Sequence, residues 1–288
     1  MPVCRTATLI LLLAAFSLAQ DSKVAETLDQ EQIRALIRQV AEKDMENDKK
    51  QRDYTYIERT EEHRLDGKGN VKSTETRTHE IMIVYDEPIE RLIEKDDKPL
   101  SEKDTAKEEK RIQEIVDKRK NESEKDREKR LKQEEKDREE SRQFVGEVAD
   151  AYNFRFVGIE NIDGRDAYAI DAEPRPGFQP HVKGAQYLPK FRFRVWIDKD
   201  EKQWVKLDAL AIDTVSFGGF LARFHKGCRL VVEEKRINNE VWLPEHMAVK
   251  VDVRLALLKN FNIEQDVSYR DYKKFRTDTK ITPLGEVQ

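Results

Sequence analysis

Between Phe191 and Val215 the side chains alternate between apolar and polar, the period of two residues that a strand with one buried face requires. Phe191, Phe193, Val195 and Ile197 share one face, and Arg192, Arg194 and Trp196 share the other. After the polar turn Lys199-Asp200-Glu201, a second arm repeats the pattern with Val205, Leu207, Ala209 and Ala211, so the stretch predicts a β-hairpin. Keeping both apolar sets on one side places Val195 opposite Val205, Trp196 opposite Trp204 and Arg192 opposite Asp208. Such cross-strand pairs contribute about 0.2–1 kcal/mol each.

Further strands precede and follow this hairpin. Tyr54 opens one, a turn is predicted at Asp66-Gly67-Lys68-Gly69-Asn70, and the chain returns from Val71 to Tyr85. Ile89 to Ile93 forms another and closes at Asp96-Asp97. Phe154 to Ile159 and Ala167 to Ala172 flank an Asp163-Gly164 turn. Cys228 to Ile237 leads through Asn238-Asn239 to a return at Glu240 to Leu243, which Pro244 is expected to interrupt. Val249, Val251, Val253, Leu255 and Leu257 alternate with Lys250, Asp252 and Arg254, and a last strand runs from Ile263 to Tyr272. Short turns between successive strands predict an antiparallel meander with one apolar and one polar face, hence an α+β fold with a large curved sheet.

Little is available to cover that apolar face. Asp29 can cap a helix in which Ile33, Leu36, Ile37 and Val40 recur at helical spacing, an amphipathic cover for the sheet. Phe217 to Phe224 is too rich in glycine for a strong helix and too apolar for an exposed loop, so it reads as a short element capping the sheet. Glu173 to Pro189, with Pro174, Pro176, Gly177, Pro180 and Gly184, reads as a long surface loop.

The composition changes abruptly at Ser101. From there to Gln143 acids and bases are equally numerous, and no apolar residue lies between Val116 and Leu131. This predicts a helix, opened by Ser101 and Asp104 and held by pairs spaced by four such as Glu114 with Lys118 and Asp126 with Arg130. One unbroken helix from Ser101 to Ala151 would be roughly 75 Å long, against about 40–45 Å for the remaining domain. It must project into solvent or bend near Asn121-Glu122-Ser123. Residues 101–143 therefore read as a charged helical insertion in one domain spanning 20–288, either a solvated spacer or an arm that docks a partner. Removing Lys107 to Glu139 is expected to leave the sheet folded.

Arg5, the apolar run Leu9 to Phe16 and the small residues Ser17-Leu18-Ala19 have the form of a cleaved export signal, residues 1–19, with Gln20 as the mature start. Cys4 precedes the apolar run, where a lipid-modified cysteine would follow it, and only Cys228 remains after cleavage, so the core must hold the fold without a disulfide. The charges, 54 basic against 58 acidic, give no broad positive field for nucleic acid. His63, His79, His181, His225 and His246 are dispersed without metal-ligand spacing, and no Gly-x-Ser-x-Gly or phosphate-loop pattern occurs, so neither catalysis nor a cofactor is expected.

An apolar sheet face with so little cover leaves two arrangements open: strands that curl until they fill their own interior, or a half-barrel with an apolar cavity. The exported start, the first helix, the meander, the strand carrying VWIDKDEKQWVKL and the later VWLPEHMAVKVDV resemble the LolA-type periplasmic carriers and their LppX-like and RseB-like relatives. The ending Tyr269-Arg270-Asp271-Tyr272-Lys273-Lys274-Phe275 is similar to that of exported proteins assigned to outer-membrane lipoprotein sorting. The resemblance covers most of residues 25 to 275 apart from the charged insertion. It implies a periplasmic half-barrel whose concave face accepts acyl chains of lipoproteins or lipids, lined by Phe191, Phe193, Val195, Val205, Leu207, Val249, Val251 and Val253. Phe217, Phe220, Leu221 and Phe224 would act as a lid. Replacing Phe193 by Glu would then abolish lipid uptake and spare protein docking. A non-catalytic envelope sensor or scaffold of the RseB-like type, binding protein through the sheet and the charged helix, is the alternative.

Overall fold

The computed structural model describes residues 26–85, 87–217, 222–255 and 259–275. The export signal, Phe220, Leu221 and Leu257 lie outside these residues. Helix α1, Gln30–Gln51, starts at Asp29, whose carboxylate accepts the Gln32 N–H while the Asp29 N–H donates to the Gln32 side chain. Ile33, Leu36, Ile37 and Val40 are buried, as their spacing predicts. Strands β1 (Tyr54–Leu65), β2 (Val71–Val84), β3 (Glu87–Lys95) and β4 (Lys98–Pro99) follow as a meander. The β1–β2 turn is closed by Asp66, which accepts the N–H groups of Lys68 and Asn70 at 2.8 and 2.9 Å.

The charged segment forms two helices, α2 (Glu102–Lys120) and α3 (Glu124–Ala151), broken at the expected place. Ser101 and Ser123 each cap one, accepting the N–H groups of Asp104 and Asp126 at 3.2 Å. Then come β5 (Tyr152–Ile162), β6 (Arg165–Pro174), a 3-10 turn at Ala185–Lys190, β7 (Phe191–Asp198), β8 (Trp204–Ala211), β9 (Val215–Phe217), β10 (Ala222–Phe224), β11 (Arg229–Ile237), β12 (Val241–Leu255) and β13 (Lys259–Lys274).

All ladders are antiparallel and form one 13-stranded open sheet, in the order β4-β3-β2-β1-β13-β12-β11-β8-β7-β6-β5, with the β9–β10 pair attached to β12. This is the curved α+β half-barrel that the alternation predicts. The last strand lies beside the first, so the N-terminal meander and the longer C-terminal one become a single surface. Consecutive strands β4 and β5 stand at opposite edges of the sheet. The α2–α3 segment joins them, so it is a strap running from one edge to the other. Its start is tied to edge strand β3, where Glu108 accepts the Leu92 N–H at 2.9 Å and Arg111 donates to the Glu90 carbonyl. Its end is tied to α1 by Arg38 and Asp150 at 3.1 Å and by the buried Ala149 and Ala151.

Three local expectations are corrected. In the β7–β8 hairpin Val195 faces Leu207, Trp196 faces Lys206 and Arg194 faces Asp208, with a bulge that leaves Val205 as the extra residue before Ile197 meets Trp204. The extra residue turns Val205 to the face opposite Leu207 and brings Trp204 in beside Ile197. At the described ends of the Phe217 to Phe224 stretch the chain is strand: Phe217 and Ala222 are paired between β9 and β10, which prolong the sheet. Pro244 does not end its strand, because the ladder shifts register between Glu233 and Glu234, and a missing N–H is tolerated at such a bulge. The loop after β6 also does more than cover the surface, since Phe178, Ala185 and Leu188 are buried in the core under α1.

A candidate cleft between the sheet and its helical strap

Paired residues of neighbouring strands point to the same side, so the ladders define the inner face row by row. Across one row Ile170, Val195, Leu207, Val232, Met247 and Val267 are followed by Thr60 and Arg77. Along this row the inner face is apolar from β6 to β13 and turns polar at β1 and β2. Beneath α1 and the end of α3 it is packed solid. Phe193, Val195 and Leu207 lie there, with the Phe193 ring edge-on to Tyr152 at 4.8 Å and the Tyr152 hydroxyl donating to the Leu188 carbonyl at 2.7 Å.

The eight residues expected to line a cavity are therefore dispersed. Phe193, Val195 and Leu207 belong to the packed core, and Phe191, opposite Ala211, lies half-buried beyond them. Val249 and Val251 are half-buried and Val253 buried farther along β12. Val205 is on the outer face with Trp196 and Trp242. Of the expected lid, Phe217 is in β9, and Phe224 sits opposite Val253.

A larger space on the inner face lies away from these residues. A cleft of about 850 Å³ opens between β1, β2 and β12 below, the second half of α1 at the side and α3 above. Its floor is Tyr54, Tyr56, Ile81, Ile83, Leu243 and Pro244. Tyr56 is fixed between Tyr269 and Tyr272, with ring centroids at 5.8 and 5.6 Å, and the Tyr272 hydroxyl donates to the Pro244 carbonyl. Burial pushes the Tyr56 hydroxyl up to about 12, so it stays neutral. On the same face of β1, burial raises Glu58 and the nearby Glu90 carboxylate raises it further. Phe224, opposite Val253, is nine positions along β12 from Pro244, roughly 30 Å at the strand rise.

The wall and roof are charged, and several of the charges are paired. Arg52 reaches Asp48 at 2.9 Å on α1, Arg138 reaches Glu135 at 3.5 Å on α3, and Arg142 is paired with Glu139. A floor of aromatic and aliphatic groups under such walls suits a long apolar chain, and its volume falls within the roughly 300–1,000 Å³ of small-molecule sites. Sequence reasoning missed this floor. Ile81 and Ile83 alternate as a buried strand should, but they become a site only because α3 passes over them. Among the described residues no group of three or more His, Cys, Asp or Glu could hold a metal ion, and no helix is long and apolar enough to cross a membrane.

No family model and no curated protein matches the chain. Among solved structures it is similar to a protein from Desulfovibrio piger described as a DUF1329 family protein, at 13% identity and a TM-score of 0.31, covering 85% of this chain and 94% of that one. It is similar to a domain from Vibrio parahaemolyticus described as an outer-membrane lipoprotein-sorting protein, at 12% identity and a TM-score of 0.32, covering 85% and 95%. A LolA superfamily protein from Nitrosomonas europaea is similar at 10% identity and a TM-score of 0.32, covering 83% and 93%. The last two descriptions fall in the group that the strand and tail motifs resemble, but these scores are too low to carry a function from those chains to this one.

Proposed function

We propose that the protein is an exported, non-catalytic carrier of the periplasm that receives acyl chains of lipoproteins or lipids in the cleft between the sheet and its strap. The observation that carries this reading is the cleft itself, about 850 Å³ with Tyr56, Ile81, Ile83 and Leu243 as its floor. Burying an alkyl chain there contributes about 0.8 kcal/mol per methylene, so uptake needs no chemistry and no cofactor. On this reading Val249, Val251 and Val253 continue an apolar track along β12, with Phe191 beside the packed end formed by Phe193, Val195 and Leu207, and Phe224 at its far limit as part of a lid.

A second reading has one observation in its favour. The inner face under α1 is solid core, with Ile170 and Ile197 fully buried, as in a sensor or scaffold that binds protein through its sheet and charged helices. Native mass spectrometry of protein purified gently from an envelope compartment separates the two. The carrier reading expects discrete lipid or acyl-peptide adducts that disappear in Ser141→Trp, a bulky replacement at an exposed position of α3 that borders the cleft. An adduct-free mass for the unaltered protein, persisting after incubation with lipids, would reject the carrier and favour the scaffold. Phe193→Glu is not the variant to use, because its ring is part of the core that holds α1.

A further inference from the structure

The two halves of α1 are held to the sheet by different forces. From Ile33 to Val40 it is anchored by buried aliphatic side chains. From Asp44 onward the anchors are hydrogen bonds: Asn47 binds both the N–H and the carbonyl of Trp242 at 2.8 Å, and Gln51 donates to the same carbonyl at 2.9 Å. Asp44, which also borders the cleft, accepts the Trp204 indole N–H at 2.8 Å and the Gln203 amide at 3.1 Å.

That same amide nitrogen is 3.5 Å from a carboxyl oxygen of Glu234, which is 6% exposed at the bulge of β11. Two carboxyl groups thus converge on one amide donor beneath the helix. We propose that Glu234 and Asp44 form a proton-dependent latch: with Glu234 protonated the second half of α1 is held down and the cleft is narrow, and with Glu234 ionised the two carboxylates repel and this half lifts.

Among the described residues Glu234 has no cation of its own. A small cavity of about 110 Å³ on the outer side brings Arg165, Arg236, Lys235, Asp163 and Asp198 to its edge. Arg165 is bound to Asp198 at 2.6 Å, Arg236 is paired with Glu201 and Lys235 with Glu245 at 2.8 Å. From β13, Tyr272 faces the group and is itself raised by burial, then by Tyr56, Tyr269, Glu245 and Glu234. Asp48 lies one turn along α1 and is taken by Arg52 at 2.9 Å. Burial first and Asp44 second push Glu234 up to about 8, which puts the change of state in the neutral to mildly alkaline range.

Amide hydrogen exchange of the full mature protein without cargo, corrected for intrinsic pH dependence and followed from pH 6 to 9, tests the latch. Protection across Asp44 to Gln51 is expected to fall by up to about ten-fold per pH unit as pH rises toward the Glu234 transition and to level off above it, while Ile33 to Val40 stays protected. Glu234→Gln, which keeps shape and hydrogen bonding, should hold protection flat. Asp44→Asn, which keeps the acceptor for Trp204, should shrink the transition and leave the part that burial of Glu234 alone produces. A transition of unchanged midpoint and size in both variants, or none in the unaltered protein, overturns the proposal. Because no cargo is present, this outcome is independent of whether the cleft carries acyl chains. Binding of a fluorescent fatty acid at pH 6 and 9 then tests the coupling: a pH difference absent from Glu234→Gln supports it, and the same difference in both proteins overturns it.

Discussion

Asp198 shows how much organisation a single turn residue can impose. It is 1% exposed, accepts Arg165 through both oxygens at 2.6 and 2.9 Å, and accepts the N–H groups of Asp200 and Glu201 at 3.0 and 2.8 Å. These bonds fasten the β7–β8 turn to the start of β6, and Lys202 takes the left-handed conformation, at a φ of 58°, that lets the chain re-enter β8. Burial alone would raise the Asp198 carboxyl, but Arg165 and the turn N–H groups outweigh it, and the net direction is down. A carboxyl lowered in the folded state stabilises it above the ordinary value of about 3.9 and loses that contribution as pH falls through the lowered value. Asp198→Asn is expected to cost about 2–3 kcal/mol at pH 7, because it leaves Arg165 short of its partner. Urea unfolding at pH 7 and pH 3 checks this: the gap between variant and parent should narrow at the acid end, and an equal gap at both would show that the charge contributes nothing. The turn itself was legible in the sequence, whereas its salt bridge to Arg165 was not, because 33 residues separate the partners.

At the scale of elements, α2 and α3 are helices with almost no apolar face. No residue of α2 is buried, and in α3 only Glu147, Ala149 and Ala151 at its end are. Their break is stapled by charge, since Arg130 binds both oxygens of Glu122 at 3.1 and 3.0 Å and Arg119 approaches it to 3.5 Å. These pairs are half-buried, so salt screens them only in part even when the Debye length falls to about 3 Å in 1 M salt. Glu122→Ala should therefore broaden the distribution of distances between spin labels placed on α2 and α3, and high salt should do so to a smaller degree. A distribution that neither change affects would mean that backbone capping by Ser123 sets the angle alone. The outer face of the sheet is fastened in a similar way, with Asp208 facing Arg194 across the ladder and bound by Arg229 at 2.7 Å. The alternation identified which residues face outward there, but the partner of Asp208 is Arg194 and not Arg192, because the turn brings Ile197 to Trp204 and Val205 is then an extra residue.

The whole molecule depends on contacts that are distant in the chain. β1 meets β13, with Tyr54 opposite Lys274, and the strap carries the chain from the β4 edge to the β5 edge. Deleting Lys107 to Glu139 removes most of α2 and the first half of α3, about 21 Å and about 24 Å of helix at the α-helical rise. The deletion is expected to lose cooperative urea unfolding, and a flexible linker of equal reach in its place should restore the sheet but not the cleft roof. A deletion variant that unfolds with the parent's midpoint would show that the strap bears no structural load.

By itself the sequence determined the local elements: the α1 stripe and its Asp29 cap, the turns at Asp66 and Asn238, the alternating strands and the break at Asn121 to Ser123. These follow from periodicity and capping, which act within a few residues. Only the tertiary structure decided that β13 lies beside β1, that Val205 and Glu245 are extra residues which reverse a face or relieve Pro244, and that a polar helix passes over Ile81 and Ile83 to make a cleft. A period of two is blind to which strands pair and to where one residue is inserted. A helix polar on all sides carries no mark of the surface it will cross.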